Sequence, residues 1–250
     1  MKRYIKSTVI PLDQLDWRDQ LAVAEDPNTD IEALRILANQ DKLPLTISGS
    51  ILANPKVTSD IIDIMTTKLY FEDIYDRIAG HPMASKFALD KVADYALLGN
   101  HFNIDYWALQ DVAINENTSL KTLRKLAKCS SCEIRNKVAE HPNASTSLLS
   151  QMCDRDLSIA PYAVQNPNIS LDIVERLANS SRSWGREVAA SCPKASADIL
   201  LKLSQDEKPI VRMSVAENKS TPVEILQTLL NDSDYSVRLT AEETLRKCNN

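Results

Sequence analysis

VAEHPNAS, residues 138–145, decides the fold because it is not alone. Close relatives of the phrase stand at 23–29 (VAEDPNT), 51–58 (ILANPKVT), 78–85 (IAGHPMAS) and 112–119 (VAINENTS). Others follow at 163–170 (AVQNPNIS), 188–196 (VAASCPKAS) and 215–221 (VAENKST), with a degenerate copy, LTAEET, at 239–244. Counted at the proline position, the nine copies recur at steps of 24 to 34 residues. A period of that size marks a solenoid, in which each unit buries its apolar face only by stacking on its neighbours.

The copy from Ser214 to Arg238 shows the unit most clearly. Thr221, Pro222 and Glu224 have the spacing of a capping box with proline in the first helical turn. Ile225, Leu226, Leu229 and Leu230 then recur at helical spacing. Asp232 and Ser233 end that helix, and a second helical piece, YSVRLTAEETL, follows. Thr29 with Glu32 begins a helix carrying Ile31, Leu34 and Leu37, while Thr118, Ser170 and Ser196 stand at the same place elsewhere. Each repeat therefore reads as a capped helix of roughly ten residues, a polar turn and a shorter helix, neither stable alone. The expectation is an all-α solenoid with essentially no strand: residues 1–17 as a lead-in or cap, and 18–250 as one solenoid with a long irregular repeat at 83–116.

Two periodic positions carry polar chemistry. The residue before the proline position is Asp26, Asn54, His81, Asn115, His141, Asn166, Cys192 and Asn218 in turn. Short polar side chains there suit a row that satisfies turn amides from repeat to repeat. Arg212 and Arg238 each follow an aspartate, Asp206 and Asp232, by six residues, which suggests ion pairs within or between repeats.

Bulk properties exclude several classes. With four glycines and no GxGxxG or GxxxxGK, nothing is available to build a dinucleotide or phosphate loop. No apolar run approaches the length of a membrane span. The N-terminal MKRYIKSTVIPLD lacks the apolar core and cleavage site of a signal peptide, so a cytoplasmic protein with no membrane partner is expected. Five cysteines do not make a disulfide framework. The net charge of −5 is an N-terminal property: residues 1–110 hold 16 acidic and 11 basic side chains, and residues 111–250 hold 18 of each.

The pieces VAEDPNTDIEALRILA (23–38), IRNKVAEHPNAS (134–145), NPNISLDIVERLA (166–178) and VRMSVAENKSTPVEILQTLL (211–230) resemble the variant leucine-rich repeat family. The resemblance covers residues 18–250 and implies a right-handed α/α superhelix of HEAT- or armadillo-like appearance. In it an α-helix alternates with a shorter, often 3₁₀, helix. It implies no common enzymatic activity. Some members carry an N-terminal cysteine cluster for an iron–sulfur centre; here the first cysteine is Cys129. The chain departs from the family pattern in its long repeat and where proline is lost, at Glu116, Lys219 and Glu243.

Three groups of residues are candidate sites. Residues 70–107 hold 8 of the 13 aromatic residues, in the tract where the repeat is too long. A partner-binding site is therefore expected around His101, Phe102, Tyr106 and Trp107, with irregular packing as the alternative role for these rings. Lys121, Arg124, Lys125 and Lys128 form a basic helical face that Arg135 extends; without a continuing basic stripe it reads as solvated. Cys129 and Cys132 form a CxxC with Cys153 one repeat on, weak candidates for a metal or redox site. No catalytic constellation is visible, so no catalytic residue, metal or cofactor is assigned. The sequence points to a non-enzymatic scaffold with a protein partner. A helical-repeat nucleic-acid-binding protein or nucleic-acid enzyme is the second reading, and a cysteine-based metal or redox protein the third.

Overall fold

A computed structural model of the chain describes residues 3–5, 8–68, 74–98 and 104–248. Seventeen α-helices fill most of them, and the fold is all-α and solenoid-like. The lead-in adds one short strand pair to this. Strands β1 (Arg3–Ile5) and β2 (Thr8–Ile10) pair antiparallel, with Tyr4 opposite Val9, inside the lead-in. The segment is rich in β-branched residues and ends at Pro11, which has no N–H to offer a longer ladder.

The chain divides into two compact units, residues 1–143 and 144–250. In the first, α1 (Trp17–Glu25), α3 (Leu45–Ala53), α5 (Tyr75–Ala79), α7 (Ile104–Ile114) and α9 (Cys132–Glu140) precede the repeated phrases. Each packs on the next, forming one layer. Helices α2 (Ile31–Ala38), α4 (Ser59–Lys68), α6 (Lys86–Leu97) and α8 (Leu120–Leu126) follow the phrases and stack in the same way as a second layer. Leu34, Leu37, Ile61, Ile62, Leu89 and Leu123 of the second layer and Ile47, Ile51, Ile78 and Val112 of the first are all fully buried. Ile31, expected on the buried stripe, is the first residue of α2 and is 40% exposed.

The second unit repeats the plan. Helices α11 (Ala160–Ala163), α13 (Ser183–Ala190), α15 (Pro209–Glu217) and α17 (Tyr235–Cys248) alternate with α10 (Thr146–Arg155), α12 (Leu171–Ala178), α14 (Ala197–Leu203) and α16 (Val223–Leu229). α13 packs on α15 and α15 on α17, while α12 packs on α14. The short pieces are α-helical, save a 3₁₀ turn at Leu157–Ile159 that runs into α11. The ninth phrase makes no turn: α17 runs straight through it. There Glu242 pairs with Arg246 at 2.6 Å.

Helix starts correct the reading of the threonines. Thr29, Thr118 and Thr221 do not cap. Each donates its hydroxyl 2.6 Å to the carbonyl six residues back, on Val23, Val112 and Val215. All three side chains are buried, in the place that Val57, Ala84, Ala144, Ile169 and Ala195 fill elsewhere. The cap is the next residue: Asp30 for α2, Ser119 for α8 and, without a side-chain bond, Pro222 for α16. Ser196 caps α14 as expected, whereas Ser170 makes no cap bond.

The ladder before the prolines exists. Asn54 Nδ2 donates to the carbonyls of Ala24 (2.8 Å) and Asp26 (3.0 Å), one repeat back. Asn115 does the same to Ala79 and His81, and Asn218 to Ala190 and Cys192. Each Oδ1 accepts the N–H two residues on, at Lys56, Asn117 and Ser220. Histidine copies this pattern. His81 Nδ1 accepts from Met83 N–H and its Nε2 lies 3.2 Å from the Leu52 carbonyl, which requires the Nε2–H tautomer. His141 repeats it with Asn143 N–H and the Asn115 carbonyl. Asp26 closes its own turn on Asn28 N–H, and it is the first rung, with no earlier turn to reach.

The arginines also differ from expectation. Arg212 Nη1 donates to the carbonyl of Asp206 (2.7 Å), not to its carboxylate. That carboxylate takes Arg186 Nε (2.5 Å) and Nη2 (3.0 Å), 20 residues back, and Asp232 takes Arg212 in the same bidentate way at 2.7 Å. The side chains of Asp206 and Asp232 are 7% exposed, so these are not surface pairs. Hydrogen bonds from the arginines outweigh burial and hold both carboxyls below their ordinary range.

Candidate functional site

The aromatic tract separates into two roles. Tyr75 of α5 is buried and packs on Tyr95 of α6, ring centroids 4.6 Å apart, so these rings fill the core side. Trp107 is 60% exposed on α7, edge-on to Tyr106 at 5.6 Å. Tyr106 is itself fixed: its hydroxyl donates to Glu133 of α9 and accepts from Gln110 Nε2 at 3.0 Å. The bond to Glu133, then burial, raises the Tyr106 pKa. Trp184 on α13 is likewise exposed rather than buried in packing. His101, Phe102, Tyr70 and Phe71 lie outside the described residues.

Helical geometry extends the Trp107 surface. Trp107, Asp111 and Ile114 stand at i, i+4 and i+7, on one side of α7. Trp107 and Ile114 are exposed there. Beside them the first layer is hollowed. A depression of about 490 Å³ lies over α3 and α5, lined by Gly49, Ala53, Asp76, Arg77, Gly80 and Asp111. A second, of about 340 Å³, shares Gly80, Pro82 and Asp111 with it and reaches Ile114. The glycines make the hollow. A Cβ at Gly49 would come within 2.6 Å of the Arg77 guanidinium, and at Gly80 one would face the Asp111 carboxylate at 3.6 Å. Burial, then the charge of Asp76, raises the Asp111 pKa. The Asp111 carboxylate has no hydrogen-bond or ion-pair partner among the described residues. The sequence reading missed this feature. Its only trace in the sequence is that Gly49 falls in α3 and Gly80 at the C-cap of α5, the next first-layer helix.

The basic face is largely engaged within its own unit. Lys121 and Lys125 each reach Asp90 of α6 at 2.7 Å, Lys125 also reaches Asp94, and Thr122 donates to Asp90. Burial alone would raise the Asp90 pKa, but bonds from Lys121, Lys125 and Thr122 lower it to about 2. Arg135 Nη1 binds the carbonyls of Cys129 and Ser130. Arg124 and Lys128 stay exposed.

The cysteines sit in different settings. Cys132 opens α9 and is exposed, with Cys129 half-buried in the turn before it. Cys153 is buried on the apolar stripe of α10 with Leu149 and Met152. Burial pushes its thiol up to about 11. Cys192 fills a ladder rung, its thiol 3.3 Å from the Val164 carbonyl. No group of three or more His, Cys, Asp or Glu among the described residues is arranged to hold a metal. Nor is any helix there long and apolar enough to cross a membrane. No protein-family model matches the chain, and no curated protein matches it either.

Proposed function

We propose that the chain is a non-enzymatic protein-binding scaffold that docks its partner on the first helical layer around Trp107 and Tyr106. The observation that carries this reading is the exposed Trp107, held beside a Tyr106 that Glu133 and Gln110 immobilise. An immobilised aromatic pair with one open face is the usual composition of an interface anchor. His101 and Phe102 belong to the proposed site on sequence grounds. Free thiols at Cys129, Cys132, Cys153 and Cys192, among the described residues, agree with a reducing, cytoplasmic setting. The repeats are taken as variant leucine-rich repeats wound into a right-handed superhelix, a surface that suits extended partners. Lysine pairing with Asp90 weakens the nucleic-acid reading, since those charges are already satisfied.

Affinity capture from cell extract with wild type, Trp107→Ala and Tyr106→Ala tests the proposal. A partner lost from Trp107→Ala, with an unchanged melting curve, is the expected outcome. A partner retained equally by both stable variants would move the site elsewhere.

A further inference from the structure

The groove beside Trp107 has a chemistry of its own. Part of its wall is apolar, from Gly49, Leu52, Ala53, Gly80, Pro82 and Ile114, and His81, Asn115 and Asn117 add polar lining. Two carboxylates, Asp76 and Asp111, share it, with Glu116 at one end and Arg77 over Gly49 at the other. Asp111 is half-buried, lacks a partner among the described residues, and stands on the same side of α7 as Trp107. A partly desolvated carboxylate without a cation is costly, and a partner's cation removes that cost. The neighbouring acidic pairs are answered differently: Asp90 and Asp94 already have Lys125.

We infer that the α3–α5–α7 groove binds an extended segment of a partner protein, seating an arginine or lysine of that segment at Asp111 and an adjacent apolar side chain against Trp107. The inference rests on the scaffold reading and deepens it by naming the partner's chemistry. Guanidinium or ammonium donors fit a half-buried carboxylate, and an extended backbone fits a trough that crosses consecutive helices. The glycines are what admit it. Gly80 has φ −76°, open to any residue, so a longer side chain there fills the trough without straining the chain.

A phage library of random dodecapeptides, panned on the full chain, tests this. Bound phage are then compared on Asp111→Asn, Gly80→Leu and Trp107→Ala, each first shown to melt like wild type. The expected result is enrichment of peptides with a cationic residue next to an apolar one. Their affinity should fall about 10-fold or more on Asp111→Asn and be abolished on Gly80→Leu, in line with the loss of one charge-assisted contact. Peptides that bind wild type and all three variants alike would overturn the groove assignment while leaving the scaffold reading intact. Enriched peptides without a cationic residue would also overturn it. Absence of any enrichment on wild type would count against both.

Discussion

Asn218→Asp puts the ladder under direct strain. The introduced carboxylate retains an acceptor for Ser220 N–H, which lies 2.9 Å away. It replaces the Nδ2 donor with an oxygen facing the carbonyls of Ala190 and Cys192, now 2.7 and 2.8 Å from that position. Two lost bonds cost about 2 kcal/mol. Forcing a charge against two buried carbonyls raises the loss to about 3–5 kcal/mol. For a cooperative chain of this size that is roughly 6–20 °C in melting temperature. Urea and thermal unfolding at pH 7 read the loss. It should shrink as the pH falls, because the introduced carboxyl ionises less readily folded than unfolded and its protonation restores a donor. Asp26→Asn is the internal control: Asp26 reaches back to no earlier turn, so the change should lie within about 0.5 kcal/mol. Equal stability of Asn218→Asp and wild type at pH 7 would refute the reasoning.

Other outcomes follow from the same geometry. Burial, partly offset by the bond to Leu52, keeps the His81 pKa below 6.5. Its contribution to stability is therefore complete above that pH and declines as pH falls through it; His81→Asn should flatten this acid-side loss in melting curves from pH 7.5 to 5. Asp90, lowered to about 2 by its lysines, supports the fold above the ordinary carboxylate range near 3.8 and loses that support as pH falls towards 2; Asp90→Asn should be less stable at pH 7 but less acid-sensitive over that window. Leu226 is fully buried, so Leu226→Ala should cost about 2–5 kcal/mol by urea titration. Iodoacetamide followed by peptide mass mapping should label Cys132 in the native protein and leave Cys153 and Cys192 unlabelled until denaturant is added.

What was legible in the sequence was whatever recurs. The turn phrase placed the helices, and the asparagine position gave the ladder, because both depend on contacts repeated at one period. The threonine caps misread by one residue, since Thr221-x-x-Glu224 has the spacing of a capping box while its hydroxyl is turned inward to Val215. The Asp206 carboxylate belongs to Arg186 rather than Arg212, and a partner across a repeat boundary is invisible to local spacing. The β-hairpin lies before the first repeat and shares none of its periodicity. The groove is made by missing side chains on separate helices, so no motif announces it. Trp107 was singled out by composition, but only the fold shows that it faces outward and Tyr75 inward.

Everything described depends on the turns being locked to the turns before them. Residue-resolved hydrogen exchange of the intact chain measures this at the amides that the ladder side chains hold: Lys56, Met83, Asn117 and Ser220. These amides sit in turns at the surface and should nonetheless exchange as slowly as neighbouring helix-interior amides, with Ser220 released selectively in Asn218→Ala, which removes its acceptor. Exchange at the rate of an open loop in the wild-type protein would contradict a ladder-joined repeat stack.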